Sequence, residues 1–167
     1  MQTTADFPMG LEKEKLSGTA ALKIIRSADH AALATVDPAG VPYCVSITPV
    51  YIDGAIYFHC TAGKSRKSAN LESNPRCSLL FVAASKILPE AYDVEYGSAI
   101  VDGLAEEVYK PDEKKAILEK FLAVHAPHNA LEMNEAYIQK WFDYVKIWKI
   151  KILKVSGKAR TPANWEN

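Results

Sequence analysis

Residues 56–81 read IYFHCTAGKSRKSANLESNPRCSLLF, and the order of elements within this stretch decides the fold. The apolar run 56–60 predicts a strand. It ends in a basic turn, Thr61-Ala62-Gly63-Lys64-Ser65-Arg66-Lys67, where a short helix over 65–73 is expected to begin. Asn74-Pro75 stops that helix, because proline cannot continue it and restricts the residue before it. A further strand follows over 76–84. A helix start points unpaired N–H groups and the positive end of its dipole at any anion placed there. With lysine, arginine and hydroxyl groups gathered at that start, the turn reads in outline as a site for a phosphate monoester. The competing reading is a solvated basic face.

Upstream, Asp53-Gly54 is a two-residue hairpin signal joining residues 55–60 to a strand over 41–52. A type I turn at Asp37-Pro38-Ala39-Gly40 joins that strand to another over 30–36. In the 41–52 strand, Val41, Tyr43, Val45, Ile47 and Tyr51 fall on one face, expected to be core. Cys44, Ser46, Thr48 and Val50 fall on the other. That second face is small and weakly polar, either ordinary exposed surface or a shelf on which a flat ligand lies against backbone amides. Earlier still, Ser17 caps a short helix to about residue 27, and residues 1–16 read as an extended arm.

Downstream, residues 85–95, interrupted by Pro89, read as a long loop. Residues 96–108 form a strand in which Gly97 and Gly103 mark bends. Helices are expected from Pro111 to about 124 and over 134–144. The last strand, 145–155, carries lysines on both faces, an imperfect alternation that accommodates a bulge, and 156–167 is a polar tail. Six strands joined mostly by hairpins predict a mainly β fold: a closed or nearly closed antiparallel barrel with flanking helices, in one domain over 1–167.

The 20 basic residues balance the 20 acidic ones, so a surface built for nucleic acid or an anionic membrane is not expected. Cys44, Cys60 and Cys77 form no CxxC pair and read as free, mostly buried thiols of a reducing compartment. Neither a signal-type core nor an apolar run near the roughly 20 residues of a membrane span is present, and a soluble cytoplasmic protein is expected. Gly63-Lys64-Ser65 does not complete a P-loop, since Phe58 stands where the leading glycine belongs. His125 and His128 have no cysteine or carboxylate beside them, and no metal site is expected. His59 is either a packing residue or a polar group within reach of a ligand anchored at the basic turn. Tyr137, Trp141, Phe142 and Trp148 read as core or as a dimer surface.

The run VPYCVSITPVYIDGAIYFHCTAGKSRKSANLESNPRCSLLF, with the later YGSAIVDGLAEEV and VSGKAR, resembles the FMN-binding split-barrel proteins related to pyridoxamine 5′-phosphate oxidase. The likeness is nearest to the branch that includes nitroimidazole-resistance reductases. It implies a six-stranded antiparallel split barrel and a homodimer with two FMN molecules in clefts between the subunits. The flavin ring would lie along Ser46, Ile47, Thr48, Pro49 and Val50 and along His59, Cys60 and Thr61. Lys64, Ser65, Arg66 and Lys67 would hold the phosphate, and His59 would be the catalytic candidate. Thr48-Pro49 stands where that branch commonly has an asparagine and an aromatic, while Ser65-Arg66-Lys67 looks more like the oxidase grip. An oxidase-type C-terminal substrate pattern is lacking, so vitamin B6 oxidation is not expected. The implied function is an FMN-dependent oxidoreductase passing electrons from NADH or NADPH to a small electron-poor acceptor. The alternatives are a haem-handling split barrel using His125 or His128, and a non-catalytic flavin-binding dimer.

Overall fold

The computed structural model describes residues 12–166, so residues 1–11 of the expected arm lie outside it. Seven strands form one antiparallel sheet: β1 (Ala31–Val36), β2 (Pro42–Ile47), β3 (Val50–Ile52), β4 (Ala55–Thr61), β5 (Arg76–Leu88), β6 (Asp93–Glu107) and β7 (Val145–Ala159). Their order across the sheet is β2-β1-β5-β6-β7-β4-β3. β2 and β3 occupy the two edges, yet only Thr48 and Pro49 separate them in the chain. The edges are therefore drawn together and the sheet rolls into a barrel. The strand expected over 41–52 is thus two strands, because Pro49 has no N–H to offer a ladder, and the six expected strands become seven.

Side-chain alternation sorts two cores. Inside the barrel lie Leu33, Ile56, Phe58, Leu79, Phe81, Val101, Trp148 and Ile150. Helix α1 (Gly18–Ser27), capped by the Ser17 hydroxyl on the Ala20 N–H at 3.1 Å, packs Ala21, Ile24 and Ile25 onto this core. Helix α2 (Arg66–Ser73) adds Leu71. Helices α3 (Pro111–His125) and α4 (Leu131–Trp141) lie outside, where Ile117, Phe121 and Ile138 join Val50, Ile52, Tyr57 and Ile147 in a second cluster. In β4, Ile56, Phe58 and Cys60 belong to the inner cluster and Ala55 and Tyr57 to the outer one, so period two turns His59 and Thr61 outward. The same parity in β2 and β3 turns Cys44, Ser46, Thr48 and Val50 outward. The helix layer covers Val50, which is buried on the face expected to be open, and leaves the other three exposed.

The structure departs from the sequence reading in other places as well. Residues 85–95 are not a loop: β5 and β6 continue as a hairpin, with Ile87 opposite Val94 and Pro89 confined to the 3₁₀ turn Pro89–Ala91 at its tip. The period-two signal there was masked by Lys86, Pro89 and Glu90. The cysteines are free and mostly buried, as expected: Cys60 and Cys77 are buried and Cys44 is exposed. The polar tail is ordered by partners distant in sequence. Ser156 to Ala159 complete β7, and a short helix α5 (Ala163–Glu166) follows. The Glu166 carboxylate accepts from the Ser17 N–H at 2.7 Å and its hydroxyl at 2.6 Å. The end of the arm also docks, with Lys15 bridged to Lys158 and the Leu16 N–H donating to the Gly157 carbonyl at 3.0 Å. In the second helix of the outer layer, regular α-geometry starts at Leu131 and gives way to a 3₁₀ turn at Phe142–Tyr144.

Gly97 and Gly103 each sit opposite a register shift, at Ala83 on β5 and at Leu153 on β7, the bulge that the lysine pattern of the last strand anticipates. A Cβ on Gly103 would run into the side chain of fully buried Ile150 and lie 2.9 Å from the Lys151 carbonyl oxygen. Gly103→Ala is therefore expected to destabilise the fold by about 1–3 kcal/mol, the usual cost of overpacking. Urea unfolding followed by circular dichroism checks this, and an unchanged midpoint would contradict the packing described.

Candidate functional site

β3 pairs with β4 with Val50 opposite Tyr57. Carried past Pro49, that register sets Thr48 level with His59 and Ser46 level with Thr61. The strands do not pair there, because β2 leaves for the opposite edge and joins β1. The divergence opens a cleft on the outer surface, with exposed Ser46 and Thr48 on one lip and exposed His59 and Thr61 on the other. From Thr61 the chain enters the basic turn, which the Ala62 N–H anchors to the Tyr144 carbonyl at 2.8 Å.

The turn is built as a helix start. The Ser65 hydroxyl accepts from the Ser68 N–H at 3.3 Å and donates to the Ser68 hydroxyl at 3.0 Å. Buried Ser68 also receives the Trp148 indole N–H at 3.4 Å and lies 3.5 Å from the Cys60 sulfur. One turn on, the buried Asn70 amide donates to Thr35 at 3.0 Å. These buried contacts fix α2 against the barrel and leave the N–H groups of Arg66 and Lys67 without intrahelical acceptors. Arg66 lies over the Tyr43 ring at 4.6 Å and 3.7 Å from the Asp37 carboxylate. Lys64 and Lys67 have no ion-pair partner among the described residues. The turn thus concentrates positive charge and open donors at one spot in a chain with no net charge.

His59 stands where the cleft meets the helix layer. Its ring meets Phe121 edge-on at 5.2 Å, and His125 stacks on Phe121 at 5.9 Å. On α4, Tyr137 and Trp141 follow one turn apart at 6.4 Å, and Tyr144 meets Trp141 at 5.9 Å. Between these rows lies a small cavity of about 80 Å³, walled by His59, Phe121, Leu122, Tyr137 and Trp141. An adjoining opening of about 340 Å³ shares His59, Phe121, Leu122 and Tyr137 and adds His125 and Asn129. Burial against the helices, reinforced by His125 and by the Lys67 charge, holds the His59 pKa below the ordinary imidazole value. At neutral pH its ring is uncharged, with one nitrogen to donate and one to accept.

Of the residues expected at the site, the fold brings Ser46, Thr48, His59, Thr61, Lys64, Ser65, Arg66 and Lys67 to the cleft and its basic end. The side chains of Ile47 and Cys60 belong to the barrel interior and that of Val50 to the helix-covered core; Pro49 is buried at the bend. Only their backbone can face the cleft. The Ser65 hydroxyl is engaged as a helix cap. His125 lines the opening, whereas His128 is exposed in the turn after α3, and no group of metal ligands occurs among the described residues. The reading of the residues missed the wall formed by Phe121, Tyr137 and Trp141. The i, i+4 spacing of Tyr137 and Trp141 was the available signal, but spacing does not say which of two helix faces meets a strand.

His59 also generates a prediction. A lowered pKa means that protonation is easier in the unfolded chain, so its contribution to stability is present above the unfolded value of about 6.5 and is lost as pH falls. NMR titration of the ring is expected to give a midpoint below that value, rising in Lys67→Ala as a repelling charge is removed. A midpoint at or above the ordinary value would contradict the placement of His59.

Three comparisons bear on this arrangement. No curated protein matches the sequence significantly. Among solved structures, a candidate 5-nitroimidazole antibiotic resistance protein of Bacteroides thetaiotaomicron superposes with a TM-score of 0.70 at 22% identity, covering 85% of this chain and 83% of its own. A conserved hypothetical protein of Mycobacterium tuberculosis gives 0.76 at 22% identity over 93% of both chains. An FAD- and haem-binding protein of Mycobacterium smegmatis gives 0.72 at 18% identity over 89% of this chain and 73% of its own. These likenesses concern the fold. The sequence profile described as pyridoxamine 5′-phosphate oxidase matches residues 17–159, from the cap of α1 to the end of β7, and the chain belongs to that family.

Proposed function

We propose that the protein is an FMN-dependent oxidoreductase that works as a homodimer, taking electrons from NADH or NADPH and delivering them to a small electron-poor acceptor. The observation that carries this reading is the basic start of α2 at the end of the cleft where β2 and β4 diverge, in a chain of this family. FMN, when bound, supplies the redox chemistry. The residues present suit its phosphate monoester. Lys64 and Lys67 offer cations without competing carboxylates among the described residues, Arg66 offers a planar fork, and the Arg66 and Lys67 N–H groups add donors along the helix dipole. Ser65 holds the helix start in shape rather than contributing its hydroxyl proton, which goes to Ser68.

Ser46 and Thr48 on one lip and Thr61 on the other line the path away from the phosphate end. His59, neutral and beside apolar rings, orients an acceptor through one hydrogen bond and can move one proton at its ring nitrogen. The helix layer desolvates part of the ring. Homodimerisation is supported by the outer sheet surface. In register across four strands run Ser46, Ala32, Leu80 and Ile100, and Leu80 and Val82 are 41% and 47% exposed. Such a flat row of small and apolar side chains, continuous with the Ser46 lip, suits a second copy that would close the cleft.

The experiment is spectroscopic. The purified protein, given FMN and desalted, is expected to keep a flavin absorption band that NADH or NADPH bleaches and an added acceptor restores. A preparation that remains colourless overturns the proposal, and a haem band on addition of haemin without flavin retention favours the haem-handling alternative. Lys67→Ala and Arg66→Ala are each expected to weaken FMN about 10-fold to 100-fold, the worth of one charge-assisted hydrogen bond. Riboflavin, which lacks the phosphate, should bind wild type and variants alike. Equal FMN affinity in the variants would show that the phosphate lies elsewhere.

A further inference from the structure

Helix α2 carries the basic turn at its front, and behind it sits a second charged cluster that the phosphate grip does not use. The Lys146 ammonium donates to Glu72, in the last turn of α2, at 2.8 Å and pairs with Glu107 of β6 at 2.9 Å. The side chains of Lys146 and Glu107 are 16% and 14% exposed, whereas that of Glu72 is half exposed. The hydrogen bond to Glu72, followed by the one to Glu107, pushes the Lys146 pKa above the ordinary lysine value, so the ammonium stays charged. α2 has no basic residue in its own last turn, and Lys146 supplies a cation at the negative end of its dipole.

The spacing of this cluster matters more than its charge. Ser68 and Glu72 lie one turn apart on one face of α2, about 6 Å along its axis. Lys146 and Trp148 alternate onto one face of β7, about 7 Å apart. Trp148 donates to Ser68 at 3.4 Å and Lys146 to Glu72 at 2.8 Å, so α2 is laid along β7 on two matching rungs and runs antiparallel to it. Asn70 and Leu71 fasten the middle of the helix to the barrel, and the rung at Glu72 ties its far end. The direction of the axis decides where the Arg66 and Lys67 N–H groups point. We propose that Lys146 is a positioning residue for the anion site: held by Glu107 and holding Glu72, it sets the direction in which the start of α2 presents its donors. The proposal rests on the reading of that helix start as the phosphate grip. It also carries a sign of its own. Glu72 is a negative charge on the helix that meets an anion, so by Coulomb attraction alone its removal would tighten FMN, whereas loss of the tie loosens it.

The test compares FMN with riboflavin in flavin-fluorescence titrations of wild type, Glu72→Ala and Glu72→Gln. Glu72→Ala is expected to weaken FMN about twofold to fivefold, the worth of an ion pair of this exposure, and to leave riboflavin unchanged. Glu72→Gln, whose amide oxygen still accepts from Lys146, should recover part of the loss. Lys146→Met is expected to weaken FMN as well, and adding Glu72→Ala to it should cost nothing further, because the tie is already cut. Circular dichroism establishes that each variant is folded; if Lys146→Met does not fold, the two Glu72 variants decide alone. Unchanged or tighter FMN binding in Glu72→Ala, an equal loss of riboflavin, or additive losses in the double variant overturns the proposal and leaves the oxidoreductase reading standing. Inorganic phosphate, titrated into flavin-free protein and followed by NMR at the Arg66 and Lys67 amides, separates the two in the other direction. Phosphate binding that weakens in Glu72→Ala, in a protein that retains no FMN, would keep the positioning role and remove the flavin; phosphate that leaves both amides unmoved in such a protein overturns both.

Discussion

β2 and β3 lie at opposite edges of the seven-stranded sheet but are joined through Thr48 and Pro49 alone, and this tether governs the rest of the structure. A sheet whose two edges are held within two residues of each other has to close. Proline at the junction ends one ladder before the next begins, so closure leaves a gap where β2 and β4 part company. Everything with recognisable chemistry gathers at that gap: hydroxyls on one lip, His59 and Thr61 on the other, and the basic turn at its end. The bulges opposite Gly97 and Gly103 supply the extra twist that lets the long strands β5, β6 and β7 follow the curve.

The position of the basic turn depends on contacts that are themselves uncharged. Ser68, buried beneath the helix start, ties the Ser65 hydroxyl to the Trp148 indole, and Asn70 ties the next turn to Thr35 on β1. Buried polar groups that are all paired hold geometry firmly, because each alternative arrangement leaves one of them unsatisfied. The cations can then reach toward solvent from a fixed backbone frame. Arg66 shows the division of labour, its guanidinium shared between the Tyr43 ring and the Asp37 carboxylate of the neighbouring hairpin.

The outer helix layer has a second consequence. It converts part of an ordinary outward sheet face into core, burying Val50, Ile52 and Tyr57, and covers His59 only in part. A histidine at such a boundary is desolvated enough to stay neutral yet accessible along one edge, which is what a group that exchanges hydrogen bonds with a small molecule needs. Contacts between the two ends of the described chain add to this frame: the Glu166 carboxylate accepts from Ser17, and Glu14 accepts from Arg160 and Tyr96.

Much of this was legible in residues taken in order. The Asp53-Gly54 hairpin, the helix start at the basic turn, the Asn74-Pro75 stop and the apolar run of 56–60 are local signals, because turn conformation, helix termination and strand preference depend on neighbours a few residues apart. The same locality placed the cations at a helix start and so pointed to an anion site before any tertiary contact was known. Other features depended on residues far apart in the chain. Pro49 could be read as a weak point in one strand, but not as the hinge that sends its halves to opposite edges. The hairpin over 85–95 was hidden because its polar and proline-bearing tip lacks a buried face. Val50 and Cys60 share their strands with exposed neighbours, and only the barrel interior and the α3–α4 layer decide which of them a ligand can touch. Period and spacing assign a residue to a face; what covers that face is settled by long-range packing, and so the basic helix start was readable in the sequence while the aromatic wall beside His59 had to await the fold.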